Sequence, residues 1–265
     1  MDLELDGKIA IVTGGSRGIG KAIAHVLAAE GVDLALVARD KAALEAAARD
    51  VASASRRRVI AVACDTGDTA AVEGMVEQVV AELGSVDILV NCAARPGGGP
   101  APRADQVPDD LFHEEMNVKV LGYLRCARAV APHMNARGWG RIINVSGLAA
   151  RVSGNAVGSM RNVAVAALTK NLADELGPHG INVTVVHPGM TWTERVPAML
   201  RAIAERQGIS LEEAEARLLR QNSLQRTIDA TDIANVVAFL ASPKSVAITG
   251  DAIAAGGGSG RAIYY

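Results

Sequence analysis

Lys8-Ile9-Ala10-Ile11-Val12-Thr13 runs directly into Gly14-Gly15-Ser16-Arg17-Gly18-Ile19-Gly20, which opens an alanine-rich stretch ending near Glu30. A short run of consecutive apolar residues predicts a strand buried on both faces, and the glycines predict a tight turn into a helix. Gly14 allows a backbone angle closed to other residues, Gly18 lets the chain come close to a pyrophosphate, and Gly20 lets the helix lie against the strand. Amides of the first helical turn, including those of Ser16, Arg17, Gly18 and Ile19, lack partners inside the helix and face an anion. The strand before and the helix after are the context that separates a dinucleotide cradle from a turn with no ligand.

Outward from that turn, strands and helices alternate. Apolar runs predict strands at Lys8–Thr13, Asp33–Ala38, Arg58–Ala63, Val86–Asn91, Gly140–Ser146, Ile181–His187 and Ala252–Ala255. Helices are expected at Ile19–Glu30, Lys41–Ser53, Asp68–Leu83, Asp109–Ala136, Val157–Leu176 and Asp229–Ala241. Alternation of this kind predicts an α/β protein, a doubly wound, mainly parallel seven-stranded sheet with helices on both faces. Two irregular segments, Ala93–Pro108 and Pro188–Asn222, the second passing from loop into short charged helices, follow strand ends on the side where such sheets bind ligands. We read residues 1–265 as one dinucleotide-binding domain, with 188–225 as a substrate-loop insertion within it.

Composition agrees. A chain of 265 residues with 49% hydrophobic and 21% charged residues is long enough for one large core. Its net charge of −2 lacks the basic footprint of a nucleic-acid binder. Three widely spaced cysteines, Cys64, Cys92 and Cys126, suit reduced thiols better than a disulfide framework or a zinc site, and no metal is expected. An acidic start, Met1-Asp2-Leu3-Glu4, and the lack of a long apolar run predict a cytoplasmic chain with no membrane partner.

Taken together, Thr13–Gly20, Asp65-Thr66, Asn91-Cys92-Ala93-Ala94, Asn117, Ser146 and Pro188-Gly189 resemble, in order and spacing, the short-chain dehydrogenase/reductase family, with its Rossmann-like fold. The resemblance spans essentially the whole chain. Asn91-Cys92-Ala93-Ala94 is similar to that family's Asn-Asn-Ala-Gly turn beside the adenosine ribose, with the second Asn and the Gly replaced. By the same resemblance Asp65, with Thr66, contacts the adenine ring, and Thr193, five residues after Pro188, meets the nicotinamide carboxamide or the pyrophosphate. The family's four-helix interface implies a homo-oligomer, a tetramer or dimer, built on Asp109–Ala136 and Val157–Leu176.

Charge speaks to the cofactor. An NAD site generally has an acid at the end of the second strand, whereas a 2′-phosphate needs a cation there. That strand ends Val37-Ala38-Arg39-Asp40, so Ala38 occupies the acid's place and Arg39 follows. With Arg17 in the glycine turn, this favours NADP(H) over NAD(H), although Asp40 is able to pair with Arg39 or bind ribose itself.

The family's chemistry implies a Tyr as general acid/base, a Lys one turn later that lowers the Tyr pKa, a Ser that positions the substrate oxygen, and an Asn in a proton relay. Ser146 and Asn117 match the last two. The three tyrosines are Tyr123, Tyr264 and Tyr265, and none lies on the helix after Ser146. Counting back from Leu168-Thr169-Lys170 puts Gly158 at the Tyr position and Asn162 at the Lys position; counting thirteen residues on from Ser146 puts Ser159 and Val163 there. The ungapped run 164–173 favours the first register, and neither supplies an acid. Substitutes are His187, which titrates in a useful range, and Arg161, suited to a ribose, a substrate carboxylate or an ion pair. Tyr264 or Tyr265 of a neighbouring subunit is a third. The expectation is an NADP(H)-dependent oxidoreductase acting on a small-molecule carbonyl or alcohol with an atypical proton donor. Its rivals are a cofactor-binding scaffold or sensor, and a non-redox reaction on the same fold.

Overall fold

In the computed structural model, residues 1–94 and 101–260 are described. The expected Pro96–Pro100 loop and the two terminal tyrosines lie outside them. A seven-stranded sheet runs in the order β3-β2-β1-β4-β5-β6-β7, every neighbour parallel. Its strands are β1 (Ile9–Thr13), β2 (Asp33–Ala38), β3 (Val59–Ala63), β4 (Ile88–Asn91), β5 (Gly140–Val145), β6 (Ile181–Pro188) and β7 (Ala252–Ala255). Strand order reverses between β1 and β4, so the crevice beyond their carboxyl ends is the switch point at which such sheets bind ligands.

Helices cover both faces: α1 (Gly18–Ala29), α2 (Lys41–Ser55), α3 (Thr69–Leu83), α4 (Asp109–Glu115), α5 (Gly122–Arg137), α6 (Ala156–Leu176), α7 (Val196–Gln207), α8 (Leu211–Leu219) and α9 (Ala230–Ala241). The apolar runs serve two cores, because successive strand side chains point to opposite faces. Ala10 and Val12 pack with Ile23 and Leu27 of α1 and Val237 of α9. Ile11 between them packs with Val76 of α3 and Val130 of α5. Side-chain caps set several helix starts: Asp40, Asp68 and Asn155 accept the amides of Ala43, Ala71 and Gly158.

One feature departs from the expected helices. The single helix expected over Asp109–Ala136 is two helices joined by a π-helical turn, Met116–Leu121. The short charged helices expected after β6 are α7 and α8, which bury Val196, Leu200, Ala204, Ala214 and Leu218 in a small core of their own.

Candidate active site and cofactor cleft

Beyond the ends of β1 to β4 opens a cleft of about 450 Å³. The glycine turn forms one side of it, and its residues are there for different reasons. A Cβ on Gly20 would sit 2.3 Å from the Gly14 carbonyl oxygen, so this glycine is demanded by contact between helix and turn. A Cβ on Gly18, at φ +54°, would make only ordinary contacts, 3.6 Å to the Thr193 methyl and 3.9 Å to the Glu194 carboxylate. The turn therefore keeps a bare backbone ahead of the first amides of α1, as a bound pyrophosphate requires. Glu194, exposed on the facing loop, reaches the same mouth. Below the turn, the Thr13 hydroxyl accepts the amides of Cys92 and Ala93 at 3.0 and 3.1 Å, joining the ends of β1 and β4.

At the far end, Ala38, Arg39 and Asp40 line the cleft together with Arg17. Asp40 is engaged as the cap of α2, accepting the Ala43 amide at 3.1 Å. Among the described residues neither Arg17 nor Arg39 has an ion-pair partner. Asp65 and Thr66 form the wall after β3, with the Asp65 carboxylate accepting the Gly67 amide at 2.9 Å. Ser16, Ile19, Ala93 and Thr193 complete the expected residues that line the cleft. Asn91, Pro188 and Gly189 are not among the residues that line it. Asn91 is fully buried and donates to Asn144 Oδ1 at 3.0 Å, and Asn144 donates to Thr169 of α6 at 2.9 Å. This polar thread stitches β4, β5 and α6. Gly189 packs on Gly256, whose Cα would lie 2.9 Å from an added Cβ.

Beside the cleft, Ser146 follows β5. Its hydroxyl donates to Asn162 Oδ1 at 3.1 Å, and Asn162 is buried on the inner face of α6 with Gly158. Ser159 and Val163 lie on more exposed faces, so the register that aligns 158 and 162 is the one turned toward Ser146. His187 is 1% exposed, and its Nδ1 accepts the Gly147 amide at 3.3 Å. Burial, helped by the positive charges of Arg151 and Lys119, pushes its pKa down to about 4. Arg161 is ion-paired with Glu115 of α4. The Asn117 side chain is engaged elsewhere: it donates to the Gly67 carbonyl at 3.3 Å and accepts from Arg125 at 2.9 Å.

A residue that the sequence reading passed over stands here instead. Lys119, in the π-turn, is 4% exposed and donates from Nζ to the Ser146 main-chain oxygen at 3.0 Å. Its signal lay in the helical phase, since Lys119, Tyr123, Cys126, Val130 and Met134 follow one another at three- or four-residue spacing and are all buried. A lysine on a core stripe has to be accounted for.

The parallel sheet, the glycine turn at its switch point and the serine ending β5 define a dinucleotide-binding α/β protein of the dehydrogenase type. The chain belongs to the short-chain dehydrogenase family, whose model matches residues 8–203. It is 35% identical over 254 residues to the short-chain reductase protein NovJ of Streptomyces niveus, covering 94% of this chain and 93% of NovJ. Among solved structures it resembles L-sorbose reductase from Gluconobacter frateurii complexed with NADPH and L-sorbose, with a TM-score of 0.91, 29% identity and 98% of each chain covered. NAD+-bound xylitol dehydrogenase is also similar, with a TM-score of 0.86 and 28% identity over 95% of this chain and 98% of that one.

Proposed function

We propose that the chain is an NADP(H)-dependent oxidoreductase acting on a small carbonyl or alcohol substrate, with Ser146 holding the substrate oxygen. One observation carries the cofactor assignment: at the end of β2 stand Ala38 and Arg39, which has no ion-pair partner among the described residues and lines the cleft with Arg17, while Asp40 is engaged as a helix cap. Two guanidinium groups suit a 2′-phosphate, and a ribose diol finds no free acceptor at position 38. NADPH in the L-sorbose reductase complex agrees with this, and NAD+ in xylitol dehydrogenase means that local charge, not the fold, decides. When bound, such a cofactor supplies hydride at its nicotinamide. The chain's own contribution is to hold the pyrophosphate on the first amides of α1, with Thr193 closing over it and Asp65 and Thr66 beside the adenine.

Around this site we infer one domain, in which residues 188–225 form the loop over the substrate, in a cytoplasmic homo-oligomer. The separate small core of α7 and α8 supports the loop assignment. Calorimetry tests the cofactor assignment: R39A weakens NADPH by about 1.5–3 kcal/mol, the worth of one charge-assisted contact, and leaves NADH nearly unchanged. Equal weakening of both cofactors refutes it.

A further inference from the structure

Resting on the oxidoreductase reading above, we propose that Lys119 is the proton donor to the substrate oxygen held at Ser146. The ammonium sits on Ser146 itself, 3.0 Å from its main-chain oxygen, and this is its one hydrogen bond among the described residues. Two of its three hydrogens are left for another acceptor on that side. Other donors near the serine are engaged or lack a proton to give. Tyr123 donates its hydroxyl to the Val145 carbonyl at 2.8 Å, and its ring lies 6.0 Å from Lys119 Nζ. His187 is neutral and accepts the Gly147 amide. Arg161 is held by Glu115, and a guanidinium does not release its proton near neutral pH. Helix α6 carries no tyrosine, and its one lysine, Lys170, is exposed and paired with Asp174.

In the reducing direction the carbonyl carbon gains the nicotinamide hydride and the C=O π pair moves to oxygen. That oxygen takes a proton from Lys119 Nζ, so an O–H bond forms as an N–H bond breaks. The products are the alcohol, the oxidised cofactor and a neutral amine, which regains its proton from water. For this a lysine must release its proton more readily than an ordinary one. Burial pushes the Lys119 pKa down to about 8, with Cys92 acting in the opposite direction. The ionisable groups around it are Cys92 at the end of β4, Tyr123 one turn on, and His187 from β6. From α6, packed on the π-turn, the charged group is Arg161, matched by Glu115. Among the described residues no carboxylate pairs with Lys119, so its proton is not locked in an ion pair.

The test uses NADPH-saturated protein and two variants, K119M and K119R. Lysine ¹³Cε NMR is expected to show one resonance titrating near pH 8, missing in K119M; a Lys119 that stays charged through pH 10 overturns the proposal. With ethyl acetoacetate and L-sorbose as probes, reduction by the parent is expected to fall above about pH 8. In K119R, which keeps the charge and NADPH binding, the rate drops on the order of 10²–10⁴-fold and that pH break disappears. A K119R protein with parental rate and parental pH break overturns the proposal while leaving the oxidoreductase reading intact. A parent that binds NADPH and reduces no carbonyl compound overturns that reading, and this inference with it.

Discussion

Single residues in this chain carry measurable signatures. Lys119 has an ordinary pKa of 10.5 when unfolded and about 8 when folded. Between those values the unfolded chain binds the extra proton, so stability contributed by this residue rises with pH from about 8 to 10.5. The rise amounts to about 3 kcal/mol at full extent. Burial raises the Cys64 and Cys92 thiols to about 11, which works in the opposite direction above pH 9, so the comparison has to be parent against K119M. We expect K119M to be more stable than the parent below pH 8 in urea unfolding, with the difference shrinking toward pH 10.5. A difference independent of pH refutes the assignment. Glu194 makes a second case, since its exposed carboxylate shares the mouth of the cleft with Gly18. E194Q is expected to tighten NADPH a few-fold at low salt, an advantage that fades as salt screens it; unchanged affinity at low salt counts against a pyrophosphate there.

At the scale of elements, the glycine turn and α6 make separable predictions. G20A drives a Cβ into the Gly14 carbonyl and is expected to lower the melting temperature of the whole protein. G18A meets nothing closer than 3.6 Å and carries only the strain of φ +54°, about 1 kcal/mol. It should lose cofactor affinity with little loss of stability; the reverse pattern in melting curves and calorimetry refutes this division of labour. On α6, G158Y with N162K restores a phenol and an ammonium four residues apart on the face toward Ser146. A Cβ at 158 lies 2.8 Å from the Asn155 side chain that caps the helix, so the change also costs about 1 kcal/mol of capping. Faster ketone reduction by the folded double variant is expected, and no gain on any ketone counts against the register. The strands were legible because runs such as Ile9-Ala10-Ile11-Val12 are buried on both faces, and their ends fell within two residues of those expected. The π-turn was not legible, because Met116–Leu121 carries the same helix-forming residue types as its neighbours and differs only in its hydrogen bonding. The resemblance gave Asn117 a place in a proton relay, whereas the contact of Lys119 in this turn with Ser146 became visible only with the backbone. Charge at the end of β2 was readable, but the role of Asp40 as a cap needed the backbone.

For the whole molecule, apolar side chains left in the open are the relevant sign. Met160 and Val163 on α6 and Leu121 in the π-turn are 48%, 50% and 44% exposed. Burying them against another copy is worth roughly 1 kcal/mol or more apiece, so we expect a dimer or tetramer in light scattering at micromolar concentration, shifted toward monomer by M160E with V163E. A parent that is monomeric at that concentration refutes the assembly. Among the described residues no helix is long and apolar enough to cross a membrane. Several contacts join early and late parts of the chain: α1, which begins at the glycine turn, shares its core with α9, and the Ser242 hydroxyl after α9 donates to the Leu3 carbonyl at 2.7 Å. A ribosome lengthening the chain by about 5–20 residues each second releases α9 roughly 10–40 s after α1. Throughout that interval Ile23 and Leu27 lack the cover that Val237 of α9 gives them in the finished fold, so the glycine turn is made first and its helix is covered last.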